Sequence, residues 1–434
     1  MNEAIPFFTE KFREQQNASS ALAGFRQKGL DSFSTLGLPP VKHEEWKYTR
    51  VSALFNRDFD NLLNEGNISA EDLEGCRLPH TGNATEIVFV NGRYSAALSV
   101  IRHSDTELAV MPLDKAATNG YGLIVENNLG HSAKYHPDGI NALNTAFSAG
   151  GIFIHAKRAI AGDAPVYIYH VTDSRNGYRF SQPRSLVYVD SGASFQLVEY
   201  YVTLGKEGSF TNEVIEIAAE KDAVVHYYKI QHEGPDANHV GTTHFRQLGK
   251  CLTNAVTITL SGGLIRNNLN MIMESEHGES HMYGLYLLNG KTHVDNHTIV
   301  DNVKPHCFSN ELYKGIMDEK STGVFNGKIF VRNDAQKTNA YQSNKNILLG
   351  DSATINTKPQ LEIYADDVKC SHGCTIGRLD EDALFYLRAR GISEKNAVSL
   401  LLHAFAVDIL ENIKPEPLKI YVDELISERL EFNF

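Results

Sequence analysis

Short runs of hydrophobic and β-branched residues dominate the middle of the chain and predict β-strands there. From about residue 87 to residue 376, Val, Ile, Tyr, Phe and Thr recur in runs that Gly, Asn and Asp separate. Representative runs are 195–202, 224–230, 255–260, 283–288, 323–331 and 361–364. Helical periodicity is nearly absent from this region. We therefore predict a mainly β body that is almost free of helices.

The length of the strand region favours a parallel β-helix, or solenoid. Stacked coils can extend without a fixed limit, whereas one ordinary sandwich is too small for so many strands. Two sandwiches would give a similar pattern, because no strict repeat is visible. Asparagines are expected at the corners between coils, where tight bends and stacked ladders favour them; they are Asn267, Asn268, Asn270, Asn296, Asn302 and Asn310.

Helical periodicity flanks the strand region on both sides, which predicts units at 1–82, 83–376 and 377–434. The apolar positions that share a helix face near the start are Phe7, Phe8, Phe12, Leu54, Phe55, Leu62 and Leu63. Near the end, Asp380 is a candidate N-cap of a helix that stops at Gly391. Ser393 then caps a second helix that extends to about Asn412, so we predict a helical hairpin.

The lone tryptophan, Trp46, lies in a short segment of mixed charge at residues 41–50. Pro39 and Pro40 precede this segment and break the helical pattern. A turn or short helix is expected here, with the aromatic side chains packed on a neighbouring part of the fold.

Charge and hydropathy narrow the functional classes. The 434 residues carry a formal net charge of -12, which repels phosphate backbones and disfavours binding to nucleic acid. A DNA-reading function of the C-terminal hairpin is disfavoured for the same reason. The longest apolar stretch, residues 397–410, is shorter than the roughly 20 residues that a membrane-spanning helix needs. We therefore expect neither nucleic-acid binding nor membrane insertion.

The five cysteines lack the dense, even spacing of a secreted disulfide framework. They are Cys76, Cys251, Cys307, Cys370 and Cys374. The N-terminal residues also show no basic segment followed by an apolar run, so no signal peptide is predicted. A reducing, cytoplasmic location is the expectation.

The strongest chemical signal is the segment 369–375, in which Cys370, His372 and Cys374 occupy alternate positions. On an extended strand these side chains would project from one face, with neighbours roughly 7 Å apart. Thiolate and imidazole are ligands for iron or zinc. That spacing is too wide to surround one ion, so a bend at Gly373 or a ligand from a partner is required. The alternative is that the cysteines are small core residues beside a hydrogen-bonded histidine.

A second cluster has the same alternation. His293, Asp295 and His297 are candidate metal ligands on one strand face, and His306 and Cys307 follow about ten residues later. The alternative is a polar ladder without metal, since His and Asp pair readily with each other. The chain lacks a phosphate-binding loop of the Gly-x-x-x-x-Gly-Lys-Ser/Thr type. We therefore expect no ATP hydrolysis by this chain.

The long segment 358–377 closely resembles the signature of the SufD family of SUF iron–sulfur cluster assembly proteins, in the SufB/SufD superfamily. Further similar segments are 42–49, 293–297, 310–315, 325–328, 385–392 and 401–405. The resemblance spans nearly the whole chain. At 350–354, where SufB carries an assembly cysteine after Gly-Asp, this chain reads Gly-Asp-Ser-Ala-Thr, which favours the SufD type.

The resemblance implies a right-handed parallel β-helix that acts as a non-catalytic scaffold. A member of this family would pair side by side with SufB and dock the ATPase SufC through its C-terminal helical region. Cys370 and His372 match family positions implicated in cluster assembly, where iron or a nascent iron–sulfur cluster would be shared with SufB. At the position of Cys374, members of the family usually carry a small residue that is not a ligand. A flavin in the full complex and a homodimer of the isolated chain both stay open.

Two other functional classes compete with the scaffold. A carbohydrate-active enzyme is one, because such enzymes often use β-helices, although only analogy of fold supports it here. A purely structural interaction protein without a metal role is the other. Turnover of an anionic polysaccharide would indicate the enzyme, and anaerobic iron titration with the partner present would separate the scaffold from the structural protein.

Overall fold

Two long sheets of mostly parallel strands face each other and form a solenoid of about eight turns in the computed structural model. The structure describes residues 4–15, 20–40, 42–55, 68–79, 82, 84–158, 160 and 164–430. The predicted mainly β solenoid with helices at both ends is confirmed.

Strands and helices are numbered along the chain over the described residues. The strands are β1 (Thr85–Val90), β2 (Arg93–Tyr94), β3 (Leu108–Pro112), β4 (Ile152–Ala156), β5 (Val166–Asp173), β6 (Arg179–Ser181), β7 (Arg184–Val189), β8 (Ser194–Leu204), β9 (Ser209–Ala219), β10 (Val224–His232), β11 (Ala237–Gln247), β12 (Leu252–Ser261), β13 (Leu264–Met273), β14 (Glu279–Leu288), β15 (His293–Asn302), β16 (Phe308–Met317), β17 (Thr322–Val331), β18 (Asn339–Leu348), β19 (Thr354–Thr357), β20 (Gln360–Ile363) and β21 (Lys369–Gly377). The α-helices are α1 (Ala4–Gln15), α2 (Ala23–Leu36), α3 (Ala70–Glu74), α4 (Leu113–Thr118), α5 (Gly122–Asn128), α6 (Gly139–Ala146), α7 (Glu381–Ala389), α8 (Glu394–Leu410) and α9 (Glu416–Arg429).

From β8 to β19, successive strands alternate between the two sheets, so each turn of the chain adds a strand to both. One sheet has the order β2-β1-β5-β8-β10-β12-β14-β16-β18-β21. The other has the order β19-β17-β15-β13-β11-β9-β7-β4-β3, with β20 beside β17 and β6 beside β9. Antiparallel pairing joins β1 to β2 and β3 to β4, at the N-terminal end of the solenoid.

Alternate residues of each strand fill the space between the sheets, as the twofold periodicity of a strand requires. Leu197, Val225 and Ala255 from one sheet meet Ile217 and Met271 from the other in a single buried cluster. Both faces of most strands are covered, which explains why the strand runs read as nearly continuous apolar segments.

Helices cover the outer faces of both sheets. The outward-facing residues of the first sheet, such as Val256 and Ile258, pack against α8 and α9. The N-terminal helices α1 and α2 pack with α6 against the second sheet, where Phe8 is fully buried among aromatic rings. No described helix is both long and apolar enough to cross a membrane.

The N-terminal prediction is confirmed where the structure describes the chain. Phe7, Phe8 and Phe12 lie on α1, and Leu54 and Phe55 lie on a short 3-10 helix. Trp46 ends another 3-10 helix, Glu44–Trp46, and is buried. Leu62 and Leu63 lie outside the described residues.

The C-terminal hairpin is confirmed, and one further helix follows it. The Asp380 carboxylate accepts hydrogen bonds from two backbone N–H groups of α7, and Ser393 caps α8. Gly391 adopts a positive φ of 88°, the left-handed conformation expected there. Helix α9 was not predicted, although Leu418, Val422 and Ile426 recur on its buried face at helical spacing.

Two predictions for the strand region are wrong. Helices α4, α5 and α6 interrupt it between Leu113 and Ala146, and they have only 6 to 8 residues each, too few for a helical period to stand out. The predicted corner asparagines lie inside strands β13, β15 and β16, where the amide of Asn267 donates to Asn296 on the next strand at 3.2 Å. The corner positions are therefore wrong, whereas the stacking that was expected with them is present between Asn267 and Asn296.

Candidate functional site

The solenoid ends at β21, the last strand of its sheet. It pairs with β18 in parallel, from Lys369 opposite Asn339 to Gly377 opposite Ile347, without a shift in register. Most of its residues are exposed. An exposed strand at a sheet edge presents unpaired backbone groups that can pair with another chain.

Cys370, His372 and Cys374 share one face of this strand, as the alternation predicted. Their register partners on β18 are Ala340, Gln342 and Asn344, which are all buried. Side chains that occupy one column of a parallel sheet project in the same direction. The three side chains therefore continue the interior columns of the solenoid and lie at its end.

The three side chains differ in their surroundings. Cys370 is half-buried against the interior core, and burial raises the pKa of its thiol. His372 is exposed. The Thr357 hydroxyl donates a hydrogen bond to the exposed Cys374 Sγ at 3.1 Å. The strand continues straight through Gly373, so the bend that would gather these ligands is absent.

No three His, Cys, Asp or Glu side chains of the described residues are close enough to hold a metal ion together. Thiolate and imidazole still suit iron as a substrate or cargo of this protein. Any iron at Cys370 and His372 would need additional ligands from outside the described part of this chain.

The second predicted cluster is part of a buried ion-pair network on β15. Arg266 Nη1 lies 2.9 Å from Asp295 Oδ2 and 3.2 Å from His297 Nε2. The Thr49 hydroxyl donates to Asp295 and lies 2.9 Å from His293 Nε2. Burial works to raise the pKa of Asp295, but His297 and Arg266 hold it well below its usual range. These contacts match the polar-ladder alternative.

The same network fastens the N-terminal segment to the solenoid. The Arg266 guanidinium lies over the Trp46 ring at 4.0 Å and donates to the Glu45 carbonyl at 2.6 Å. Glu45 also contacts His297 and Lys328, and the hydrogen bond from His297 is the largest cause of its lowered pKa. This docking explains the mixed charge around Trp46. No local pattern indicated that Arg266 would be the partner of Trp46.

The comparisons with known proteins agree with this architecture. A family model described as the SUF system FeS cluster assembly SufBD core domain matches residues 170–405, and one described as the SufBD protein N-terminal region matches residues 5–168. The chain belongs to the SufBD family of iron–sulfur cluster assembly proteins. The resemblance found in the sequence is thereby confirmed.

Two relatives of this SufBD family chain are similar over nearly its whole length. The iron–sulfur cluster assembly protein SufD of Escherichia coli is 32% identical over 93% of this chain and 92% of its own. A SufBD family iron–sulfur cluster assembly protein of Synechocystis is 31% identical over 94% of this chain and 91% of its own.

Helix α7, directly after β21, gives this SufBD family chain an exposed aromatic surface. Phe385 is 75% exposed and Tyr386 is 55% exposed, and no residue of α7 is buried. The Arg390 guanidinium lies over the Tyr386 ring at 4.6 Å. Large exposed apolar side chains next to polar groups are typical of surfaces that bind other proteins.

Sequence reasoning missed the polar side chains behind β21. Glu311 on β16 and Gln342 on β18 are buried and hydrogen-bonded to each other in the interior. The sequence contained a signal, because Glu311 lies on the same inward-facing side of its strand as Tyr313 and Met317. An acidic residue in an inward phase is unusual, because burying a charge without a partner is costly.

Proposed function

We propose that this chain is a non-catalytic scaffold subunit that presents Cys370 and His372 to iron or a nascent iron–sulfur cluster at a seam with a SufB-type subunit. The single observation that carries the proposal is the exposed terminal strand β21. It combines a free sheet edge for pairing with two ligand side chains on one face. No other described strand joins these two properties.

A shared site follows from the chemistry of the ligands. Cys370 and His372 are too few to bind an iron–sulfur cluster, whose irons usually take thiolate or imidazole ligands from several residues. A second protein that pairs along β21 would bring further ligands to the same face. Incomplete coordination by each subunit also suits a cluster that must leave after assembly.

The sequence has no phosphate-binding loop, so any ATP-driven step of the assembly would take place in a partner. We propose that helices α7 and α8 dock a SufC-type ATPase, with Phe385 and Tyr386 as the apolar contacts. Helix α7 follows β21 after three residues, so movement of a bound ATPase would reach the seam directly. Membrane insertion has no part in this proposal, and we propose a cytoplasmic location.

Replacing His372 tests the proposal. We expect His372→Ala, in the complex reconstituted with SufB-type and SufC-type partners, to reduce cluster transfer to an apo-ferredoxin by at least about tenfold. Loss of an imidazole ligand weakens iron capture without disturbing the fold, because His372 is exposed. The measurement is the rate at which the ferredoxin absorbance appears under anaerobic conditions.

The matched control is Ser371→Ala, on the opposite face of the same strand. It should assemble the complex and transfer clusters at the wild-type rate. Normal transfer by His372→Ala in an intact complex would contradict the assignment of this residue.

A further inference from the structure

One interior column of the solenoid leads from its centre to His372. Glu311 pairs in register with Gln342, and Gln342 pairs in register with His372. Neighbouring strands in a sheet lie roughly 4.8 Å apart, so these three side chains follow one another on the same side of the sheet. Gln342 therefore separates a buried carboxyl group from the exposed imidazole.

Glu311 holds the Gln342 amide in one orientation. Gln342 Nε2 donates to Glu311 Oε2 at 2.7 Å, and both side chains are almost fully buried. Burial raises the pKa of Glu311 to about 7, while the neighbouring Thr298 hydroxyl and the hydrogen bond from Gln342 oppose this shift. With its nitrogen bonded to Glu311 on the preceding strand, the amide turns its oxygen away from Glu311.

The facing sheet leaves room for this amide. A Cβ atom at Gly327 would lie 2.2 Å from Gln342 Nε2 and 2.7 Å from its Cδ, so a larger residue there would displace the amide. Gln342 Oε1 is buried, and no described residue hydrogen-bonds to it. A buried acceptor without a donor costs free energy, which makes this oxygen available to a nearby N–H group.

His372 is the next residue in the column, and its ring carries such a donor. A neutral imidazole has one N–H and one free nitrogen lone pair, and a hydrogen bond to the N–H decides which nitrogen can bind a metal. Metal-binding histidines commonly donate their other ring N–H to a neighbouring oxygen for this reason.

We propose that Gln342, oriented by Glu311, is a positioning residue that accepts the ring N–H of His372 and thereby fixes which nitrogen faces an incoming iron. This inference deepens the proposed function and rests on its assignment of His372 as a ligand. The proposed hydrogen bond involves only residues of this chain, so it is measurable without iron or partners.

The test is the tautomer ratio of His372 in the full chain labelled with ¹⁵N-histidine, measured at pH 8 from long-range ¹H–¹⁵N correlations. His372→Ala assigns the resonance. We expect one tautomer to dominate in the wild type and its ratio to fall roughly three- to tenfold in Gln342→Met, which keeps the length but lacks the acceptor. In Glu311→Gln the tautomer ratio of His372 should fall by a smaller factor, because the Gln342 amide is still present but is no longer held in one orientation.

Gln231→Met is the matched control, since Gln231 is an equally buried interior glutamine that bonds Thr259 and Asn267 instead. It should leave the His372 ratio unchanged. If Gln342→Met does not fold, Gln342→Asn withdraws the oxygen by one methylene and should give the same change.

A ratio within twofold of the wild type in the folded Gln342 variant would overturn the inference. A change in the Gln342 variant but not in Glu311→Gln would overturn the part assigned to Glu311. Cluster transfer by His372→Ala decides the proposed function separately, because the tautomer experiment contains no iron and no partner.

Discussion

Glu311 is a carboxyl group that the solenoid surrounds with neutral hydrogen-bonding neighbours, Thr298 and Gln342. Its pKa rises from 4.5 to about 7 because burial penalises the charged form. A raised pKa in the folded state means that its contribution to stability is present below pH 4.5 and is lost as the pH rises through 7. We therefore expect the free energy of unfolding of the wild type to fall as the pH rises and Glu311 ionises.

Replacing Glu311 by Gln should remove this pH-dependent loss of stability. Between pH 4.5 and pH 8, the free energy of unfolding of Glu311→Gln should rise relative to that of the wild type by roughly 3 kcal/mol. This figure follows from the pKa shift of Glu311, because each pKa unit corresponds to about 1.4 kcal/mol. Denaturant unfolding at several pH values measures the difference. Glu276→Gln, in an exposed turn, is the control and should follow the wild type. Parallel pH profiles of Glu311→Gln and the wild type would contradict a raised pKa.

Arg266 makes the N-terminal segment and the solenoid one packed unit. Its pair with Asp295 is 1% exposed on both side chains, and Trp46 covers the guanidinium. Removal of one partner from a buried pair leaves the other charge without compensation, which costs about 3–5 kcal/mol. Arg266 therefore makes a central contribution to the docking of the Trp46 segment, beside the contacts of Thr49 and Glu45.

We expect Arg266→Met to lower the free energy of unfolding by about 3 kcal/mol and to expose the Trp46 segment to proteases. Denaturant midpoints and limited proteolysis measure the two effects. Arg378→Met is the matched control, because the Arg378–Asp351 pair is exposed and should contribute at most about 1 kcal/mol. Equal losses in both variants would show that Arg266 has no special part in this docking.

Strands and capped helices were predictable because their signals are local. Runs of hydrophobic and β-branched residues located β8 and β10, and single cap residues located α7 and α8. Helix α6 was missed because it has only 8 residues, and its polar residues are buried between α2 and β9 together with its apolar ones. Its N-cap, Asp138, was the available signal, since its carboxylate accepts two backbone hydrogen bonds.

The candidate site was predictable in part. The alternation of Cys370, His372 and Cys374 predicted a shared strand face, which the structure confirms. That β21 is the last strand, and that Gln342 lies beside His372, depend on register between residues about 30 positions apart. No local pattern contains this information, because register is set by the packing of the whole solenoid.

At the scale of the whole molecule, the two ends of the solenoid are different. The N-terminal end carries the antiparallel strands β2 and β3, whereas the C-terminal end presents β21 and then α7. Proteins usually cover or interrupt an exposed strand edge to avoid unwanted pairing. A straight, exposed β21 that carries the candidate ligand side chains thus fits the proposal that a partner completes the sheet.

Hydrogen exchange of the backbone of β21, with and without a SufB-type partner, tests this central claim most directly. Pairing along the free edge would bury its unpaired N–H groups, so exchange of the segment Lys369–Gly377 should slow by at least about tenfold in the complex. Strand β19, in the other sheet, is the internal control. Unchanged exchange of β21 in a complex that protects other parts of the chain would contradict the seam and the shared site at Cys370 and His372.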